Sequence, residues 1–569
     1  MITNKNFRHI LVAGTVCCAS CAALTACSDW DDHYDADTSI LASQTTDLWQ
    51  NINNHGQLKE FAALMKKTGY DKLLVPSQTF TVWAPLDNTY DYAALEAETD
   101  DRVRKEFVMN HIARNNYNVS GTVNEKIFML NQKMMVFDGS EIQGIKIDSL
   151  NIASKNGTLH TLKSKIPFLQ NIYESLNNEV YAIDSISKFF HDEDDRRFDD
   201  ANSVPGPVVD GEQTYLDSVY TEYNKLFYVF NAHINREDSN YSMLIPTNEA
   251  WTKTKNEILP LLNYSDKIRY REDTNDKTKD TTIVLRDAAG LRDSMANLLL
   301  VRHLTFNNNI GCNKPLQTLQ TGSPLVCDSL EDTYFGRIYS EDAARLFAGA
   351  QRVDKSNGCI WVTESLGFRP WNTWNRPRTV QTTFASNISG YQNTDGEPTV
   401  RRVSASNRNP EVKGSISQYL EVRPSASNTN PQVDFFLPDV MSTTYSIYAV
   451  VVPANITNAK NDTLPNNMIV TLGYTDDKAM LQETRMMNPT TGKGFHNNIP
   501  SKIDTLFLGD FTFPVAYYGT GCKPFIQFRT SVTNSNADKY DRTLRIAKII
   551  LLPKELDTYI KENPDYLYY

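Results

Sequence analysis

One pattern is written twice in this chain, in the same order. The first copy runs TFTVWAPLDNTYDY from Thr79, VMNHIARNNYN from Val108 and SKNGTLHTLKSKIPFL from Ser154. The second runs YSMLIPTNEAWTKT from Tyr241, VRHLTFNNNI from Val301 and KSNGCIWVTESLGF from Lys355. Each copy reads as an apolar strand closed by a proline, Pro85 or Pro246. A helical stretch then reaches a histidine, His111 or His303. An Asn-Gly turn, with Gly157 or Gly358, leads into a second apolar strand. Solenoid repeats have periods of only ~20–50 residues, so a repeat on this larger scale predicts duplicated domains.

The 569 residues suffice for about three or four domains. With 40% hydrophobic and 22% charged residues the composition is that of a globular protein able to bury a core. The formal charge is −11, and loss of Lys5 and Arg8 with residues 1–26, which hold no acid, takes it to −13. Such a balance argues against nucleic acid, which calls for a basic stripe, and against docking on anionic lipid through the folded surface.

The N-terminus reads as an address. MITNKNFRHILVAGTVCCASCAALTAC has a basic start, an apolar stretch from Ile10 and small residues before Cys27. That is a secretory signal, too short to span a bilayer as a stable helix. Leu24-Thr25-Ala26-Cys27 resembles a bacterial lipobox, which implies cleavage after residue 26 and lipidation of Cys27. The alternative is an ordinary secretory signal ending near a cysteine. Residues 27–40 include Asp29, Asp31, Asp32, Asp35 and Asp37. An acidic run is commonly a solvated tether. Behind a lipidated cysteine it also resembles the export signal of surface lipoproteins in Gram-negative glycan-degrading bacteria. Outer-membrane anchoring facing the outside is therefore expected, with the periplasmic leaflet as the alternative. Of the eight cysteines, Cys312, Cys327, Cys359 and Cys522 belong to the folded part and form no C-x-x-C pair. They read as four buried thiols, or as two with Cys312 and Cys327 closing a loop.

Between Thr45 and Thr68, Leu48, Ile52, Leu58, Phe61, Ala62 and Met65 recur at mostly helical spacing, and Gly69 is placed to end the helix. TFTVWAP predicts a buried strand. Asp87 or Asn88 is expected to cap the following helix, and residues 102–112 form another. The ensemble resembles the fasciclin domain. TVWAPLDN corresponds to that family's first block and NGTLHTLKSKI to its second, while His111 falls at its tyrosine-histidine motif. Met109-Asn110-His111 and Val301-Arg302-His303 both lack the tyrosine, so an adhesion role tied to it does not carry over. The resemblance implies two α+β domains, each a wedge of strands flanked by helices, over residues 41–175 and 176–375. The second is longer: 57 residues separate Pro246 from His303, against 26 from Pro85 to His111. The polar stretch from Ser265 reads as a surface excursion, and His191 to Gly211 as an acidic loop without calcium-loop spacing.

From residue 376 the helical periodicity stops. SISQYLEVRP, VDFFLP, YSIYAVVVPA, NMIVTLGY, DTLFLGDFTF, FIQFRTSV and RTLRIAKIILLP are strand candidates separated by turn residues. They predict an all-β antiparallel sandwich over residues 376–557, similar to jelly-roll carbohydrate-binding modules, with an aromatic tail at 558–569.

Catalytic and metal motifs, and Gly-rich cofactor loops, are missing from the sequence. No enzyme, metal or cofactor is therefore expected. His111 and His303 fit helix-end packing roles. Trp361, Phe368, Trp371 and Trp374 either join the second copy to the sandwich or, for Trp371 and Trp374, meet a ligand. Tyr517 and Tyr518 are the sandwich's ligand-facing candidates. Similar lipoproteins accompany starch-utilisation-type transporters, which implies glycan capture or an accessory part in such a complex. The alternatives are an adhesin for host-matrix or neighbouring-cell proteins, and a glycosidase.

Overall fold

The computed structural model describes residues 45–74, 78–177, 180–201, 203–209, 211–271, 281–461 and 463–566. Cys27, the signal and the acidic tether lie outside the described residues. The chain divides into two compact units, Met1–Phe168 with Asn202–Ser218, and Leu169–Ala201 with Val219–Tyr569.

The first unit is built on a seven-stranded sheet. Its strands are β1 (Phe80–Pro85), β2 (Ile112–Arg114), β3 (Glu125–Phe128), β4 (Met134–Phe137), β5 (Glu141–Ile142), β6 (Ile145–Ser154) and β7 (Gly157–Leu162). The order is β2-β1-β7-β6-β5-β4-β3, with β1 parallel to β7 and antiparallel to β2. FTVWAP and GTLHTL are buried along their whole length. Burial on both faces explains why FTVWAP shows no strict alternation, while Thr158, His160 and Thr161 of GTLHTL are buried with hydrogen-bond partners.

Helix Lys59–Lys67 stops where Gly69 was expected to stop it. Gly69 has φ +79°, and Tyr70 N–H donates to Met65 O at 2.9 Å, closing a Schellman motif. The helical pattern from Thr45 to Thr68 is split into two helices, Leu48–Asn54 and Lys59–Lys67. Leu58 supplies no side-chain cap. Instead Asp87 accepts from Lys59 N–H at 3.1 Å and Glu60 N–H at 2.9 Å. Asp87 thus serves a helix earlier in the chain, while Asp91 caps Tyr92–Ala97. Local spacing predicts a local cap, and here the tertiary fold brings the carboxylate to a different helix.

The second unit repeats the central motif of the first. Its strands β8 (Tyr241–Pro246), β9 (Thr305–Asn307), β10 (Gln351–Lys355) and β11 (Gly358–Thr363) run in the order β9-β8-β11-β10. Phe80 pairs with Gly157 and Pro85 with Leu162. Tyr241 pairs with Gly358 and Pro246 with Thr363 in the same parallel sense. Order, direction and register therefore all recur. The two stretches read as loops carry strands. Asp194–Phe198 pairs with Tyr220–Asn224, and Val204–Val209 with Glu212–Asp217, the latter pair belonging to the first unit. Within the polar excursion, Lys267–Arg271 pairs with Thr281–Leu285, and residues 272–280 lie outside the described residues. Charge in Asp194–Phe198 and Lys267–Arg271, and proline and glycine in Val204–Val209, masked strand character that backbone pairing supplies.

Two antiparallel sheets follow, and all seven predicted strands are present in them. One has the order Thr399–Arg402, Gln418–Val422, Leu544–Pro553, Thr444–Val451, Asp504–Thr512. The other runs Ile388–Gln392, Gln432–Phe436, Phe525–Thr530, Asn467–Thr475, Leu481–Arg485. Inward residues such as Val433, Phe435, Ile447, Val470, Phe528 and Ile549 fill the space between them. The expected tail from residue 558 begins inside a helix, Lys554–Glu562, which reaches Tyr559 and buries Leu556.

Candidate functional site

The sequence-derived positions fall into three groups. The first holds each repeat together. The two-residue hairpin loops are Lys155-Asn156 and Ser356-Asn357, so each glycine is the first residue of its strand and not part of the turn. Gly157 has φ +145°, and a Cβ there would lie 1.8 Å from Phe80 O. Gly358 has φ +135°, with a Cβ 1.9 Å from Tyr241 O. Only glycine permits this parallel contact. The asparagines before them are 2% and 1% exposed. Asn156 accepts from Leu48 N–H at 2.8 Å and donates to Leu74 O at 3.0 Å. Asn357 accepts from Ile172 N–H at 2.9 Å and donates to Ile234 O at 2.7 Å. The sequence marked these asparagines as turn formers; their long-range stapling had no local signal. Pro85 and Pro246 end strands β1 and β8.

His111 and His303 are both buried, in different ways. His111 Nδ1 lies 2.7 Å from Phe107 O, and its Nε2 accepts from Ile166 N–H at 2.9 Å. That fixes the Nδ1–H tautomer of a neutral ring. Burial pushes its pKa down to about 4. His303 Nδ1 instead meets Asp332 Oδ2 at 2.7 Å, and burial outweighs that carboxylate to lower its pKa.

The second group is a seam within the second unit. Trp371 and Trp374 are 8% and 2% exposed, so the expectation of ligand contact there is corrected. Trp371 packs on Tyr559 at 5.4 Å and donates from Nε1 to Tyr566 Oη at 2.9 Å. Arg369 lies 4.3 Å over the Tyr559 ring and donates to buried Asp342 at 2.6 Å. Tyr566 and Asn372 donate to the same carboxylate at 2.6 and 2.8 Å. Helix Lys554–Glu562 is fixed on the sandwich by Asp557, which accepts from Tyr448 at 2.6 Å, Lys561 at 2.7 Å and Ser446 at 2.8 Å. Burial opposes its ionisation, yet these donors prevail and hold its pKa below the usual range. Phe368 and Trp374 share one core with Met441 and Ala516 of the sandwich. Tyr518 joins this seam edge-on to Tyr264 at 5.6 Å.

The third group lines a small, shallow cleft of about 20 Å³ between the strand Lys267–Arg271 and the loop after Thr512. Tyr517 contributes its half-buried ring, set edge-on to Phe436 at 5.4 Å. Lys267, Arg269 and Arg286 add positive charge, and Thr475 and Thr520 add hydroxyls. Arg269 Nε donates to Lys478 O at 3.0 Å, which aims the guanidinium without neutralising it. Arg286 Nε donates to Ser265 O at 2.7 Å. Against a net charge of −11, Lys267 and Arg269 at one opening make a local attractor for anions. Of these residues the sequence drew attention to Tyr517 alone. The cations come from an excursion that reads as solvated surface.

Among the described residues there is no cluster of metal-binding side chains, and no helix is long and apolar enough to cross a membrane. Cys312, Cys327, Cys359 and Cys522 are free thiols. Residues 56–167 match the family model of the fasciclin domain.

The chain contains a fasciclin domain.

The second fasciclin-like copy lies outside the matched residues and shares the strand order and register of the first. Among solved structures, the chain is similar to a FAS1 domain pair from the insect cell adhesion molecule fasciclin I. Identity is 12%, over 56% of this chain and 98% of that one, with a TM-score of 0.19. It is also similar to a Paenibacillus xanthan lyase at 13% identity, over 36% of this chain and 16% of the lyase, with a TM-score of 0.20. No curated protein matches the chain in sequence. The architecture is thus two α+β fasciclin-like domains followed by an all-β antiparallel sandwich.

Proposed function

We propose that this fasciclin-domain protein is a non-enzymatic surface lipoprotein that binds glycan at its C-terminal sandwich. It acts alone or as an accessory subunit of an outer-membrane uptake complex. Cys27 carries the lipid, and two or three acyl chains at ~0.8 kcal/mol per buried CH₂ hold it on the outer membrane, facing outward. The observation that supports glycan binding is the cleft beside Tyr517. An aromatic ring, hydroxyls and Arg269 converge there on one opening. Rings stack on sugar C–H faces, and guanidinium groups bind carboxylates or sulfates with charge-assisted hydrogen bonds. The ligand of this cleft is accordingly an acidic glycan. Single sites of this kind are weak, and many copies on one cell raise their avidity.

A glycan array with the full-length protein in detergent tests the reading. Retention of uronate-bearing or sulfated glycans, reduced about tenfold in Tyr517→Ala and Arg269→Ala, is the expected result. A protein silent on glycans but held by matrix proteins would instead be an adhesin. Protease treatment of intact cells tests display, because a protein that resists digestion until lysis is not on the surface.

A further inference from the structure

The sandwich has a second polar surface, which meets the cleft at Phe436, edge-on to Tyr517 at 5.4 Å. In the sheet containing Gln432–Phe436, alternate residues Val433, Phe435, Ile526, Phe528, Val470 and Leu472 enter the core. Strand alternation therefore turns Gln432, Asp434 and Phe436 to the other side. Register sets Asp434 beside Gln527 and Phe436 beside Phe525. The next strand adds Thr471 beside Gln527 and Gly473 beside Phe525. These seven are half-buried to fully buried, and Arg529, opposite Gln432, is exposed.

Two glycines shape this face. A Cβ on Gly473 would strike the Phe525 ring at 2.1 Å, so that ring lies down over the glycine. A Cβ on Gly390 would lie 3.3 Å from Asp434 Oδ2, so the side of the carboxylate over Gly390 carries no side chain. Asp434 accepts from Gln432 Nε2 at 3.3 Å and from the Gln527 side chain. It has no ion-pair partner among the described residues. Burial raises its pKa against those hydrogen bonds. A half-buried carboxylate without a cation is costly unless donors reach it, and sugar hydroxyls are such donors. Arg485, on the neighbouring strand, is turned away: it donates to Gly494 O at 2.8 Å and stacks over Phe495 at 4.7 Å. Side chains two residues apart on a strand stand ~7 Å apart, about the footprint of one pyranose ring with its hydroxyls.

We propose that this sheet face binds an uncharged oligosaccharide. Phe525 stacks beneath one sugar, the Asp434 carboxylate accepts two of its hydroxyls, and Gln432 and Gln527 orient the carboxylate. The Asp434 carboxylate repels a uronate or sulfate at its own position, so this ligand differs from that of the cleft, while Arg529 and Lys523 border the face. The inference rests on the glycan-binding reading, and the following experiment separates the two. The full-length protein, Asp434→Asn, Gly390→Val and Arg269→Ala are run by affinity electrophoresis in gels containing neutral glucans, mannans or galactans, and in parallel gels with acidic glycans. Gly390→Val fills the space beside the carboxylate without removing any group that would touch ligand. Circular dichroism confirms that each variant is folded.

The expected result is retardation on a neutral glycan that weakens at least tenfold in Asp434→Asn and Gly390→Val and persists in Arg269→Ala. Equal retardation of folded Asp434→Asn and Gly390→Val overturns the proposal. So does a protein retarded by acidic glycans alone, an outcome that leaves the cleft reading standing. Silence on all glycans overturns both.

Discussion

At the scale of single residues, the repeats are set by contacts that tolerate one side chain each. Gly157→Ala adds a methyl group into Phe80 O and strains the backbone at φ +145°. A loss of ~3 kcal/mol is expected, read as a lower denaturation midpoint, and Gly358→Ala should match it. His111 gives a pH signature. Its folded pKa of about 4 lies below the unfolded value near 6.5, so the unfolded chain binds the proton more readily. Its contribution is fully present above pH 6.5. It falls as the pH drops toward 4, with no further loss below, and totals about 3 kcal/mol. His160, also near 4 through burial, adds a loss in the same window. Denaturation at stepped pH, with NMR titration of the ring protons, checks both. The glycines and histidines were legible in the sequence because they recur. Asn156 and Asn357 recur equally, yet an Asn-Gly pair reads as a turn. Nothing local says that the amides will reach Leu74 O and Ile234 O.

At the scale of elements, periodicity and propensity carried far. The apolar runs of β1, β7 and the sandwich became strands, and Gly69 ended its helix. The failures share a cause. Lys267–Arg271 and Asp194–Phe198 are charged hairpin strands whose pairing, not their hydrophobicity, makes them strands. The helix Lys554–Glu562 was hidden because its apolar positions are few, and it is docked through Asp557. Asp557→Ala removes the buried carboxylate that accepts from Tyr448, Ser446 and Lys561 and should cost about 2–3 kcal/mol, seen in equilibrium unfolding. Trp371→Ala removes the ring between Arg369, Tyr559 and Tyr566 and should cost about 3–5 kcal/mol.

At the scale of the second unit, one hydrophobic core runs from the fasciclin-like copy into the sandwich, through Phe368, Trp374, Met441 and Ala516. The sequence divides cleanly near residue 376, and the packing does not respect that division. Calorimetry should show this unit melting in a single transition, shifted as a whole by Tyr559→Ala. Separate transitions for copy and sandwich would contradict the shared core.

The seam also governs motion. Tyr559 and Tyr566 clamp Arg369 and Trp371 immediately before the sandwich begins, leaving no slack chain there to act as a swivel. A pull on the sandwich is transmitted as torque to the second fasciclin-like domain. Any reorientation of the sandwich must come from elsewhere in the chain, and it moves as a fixed head, not a hinged one.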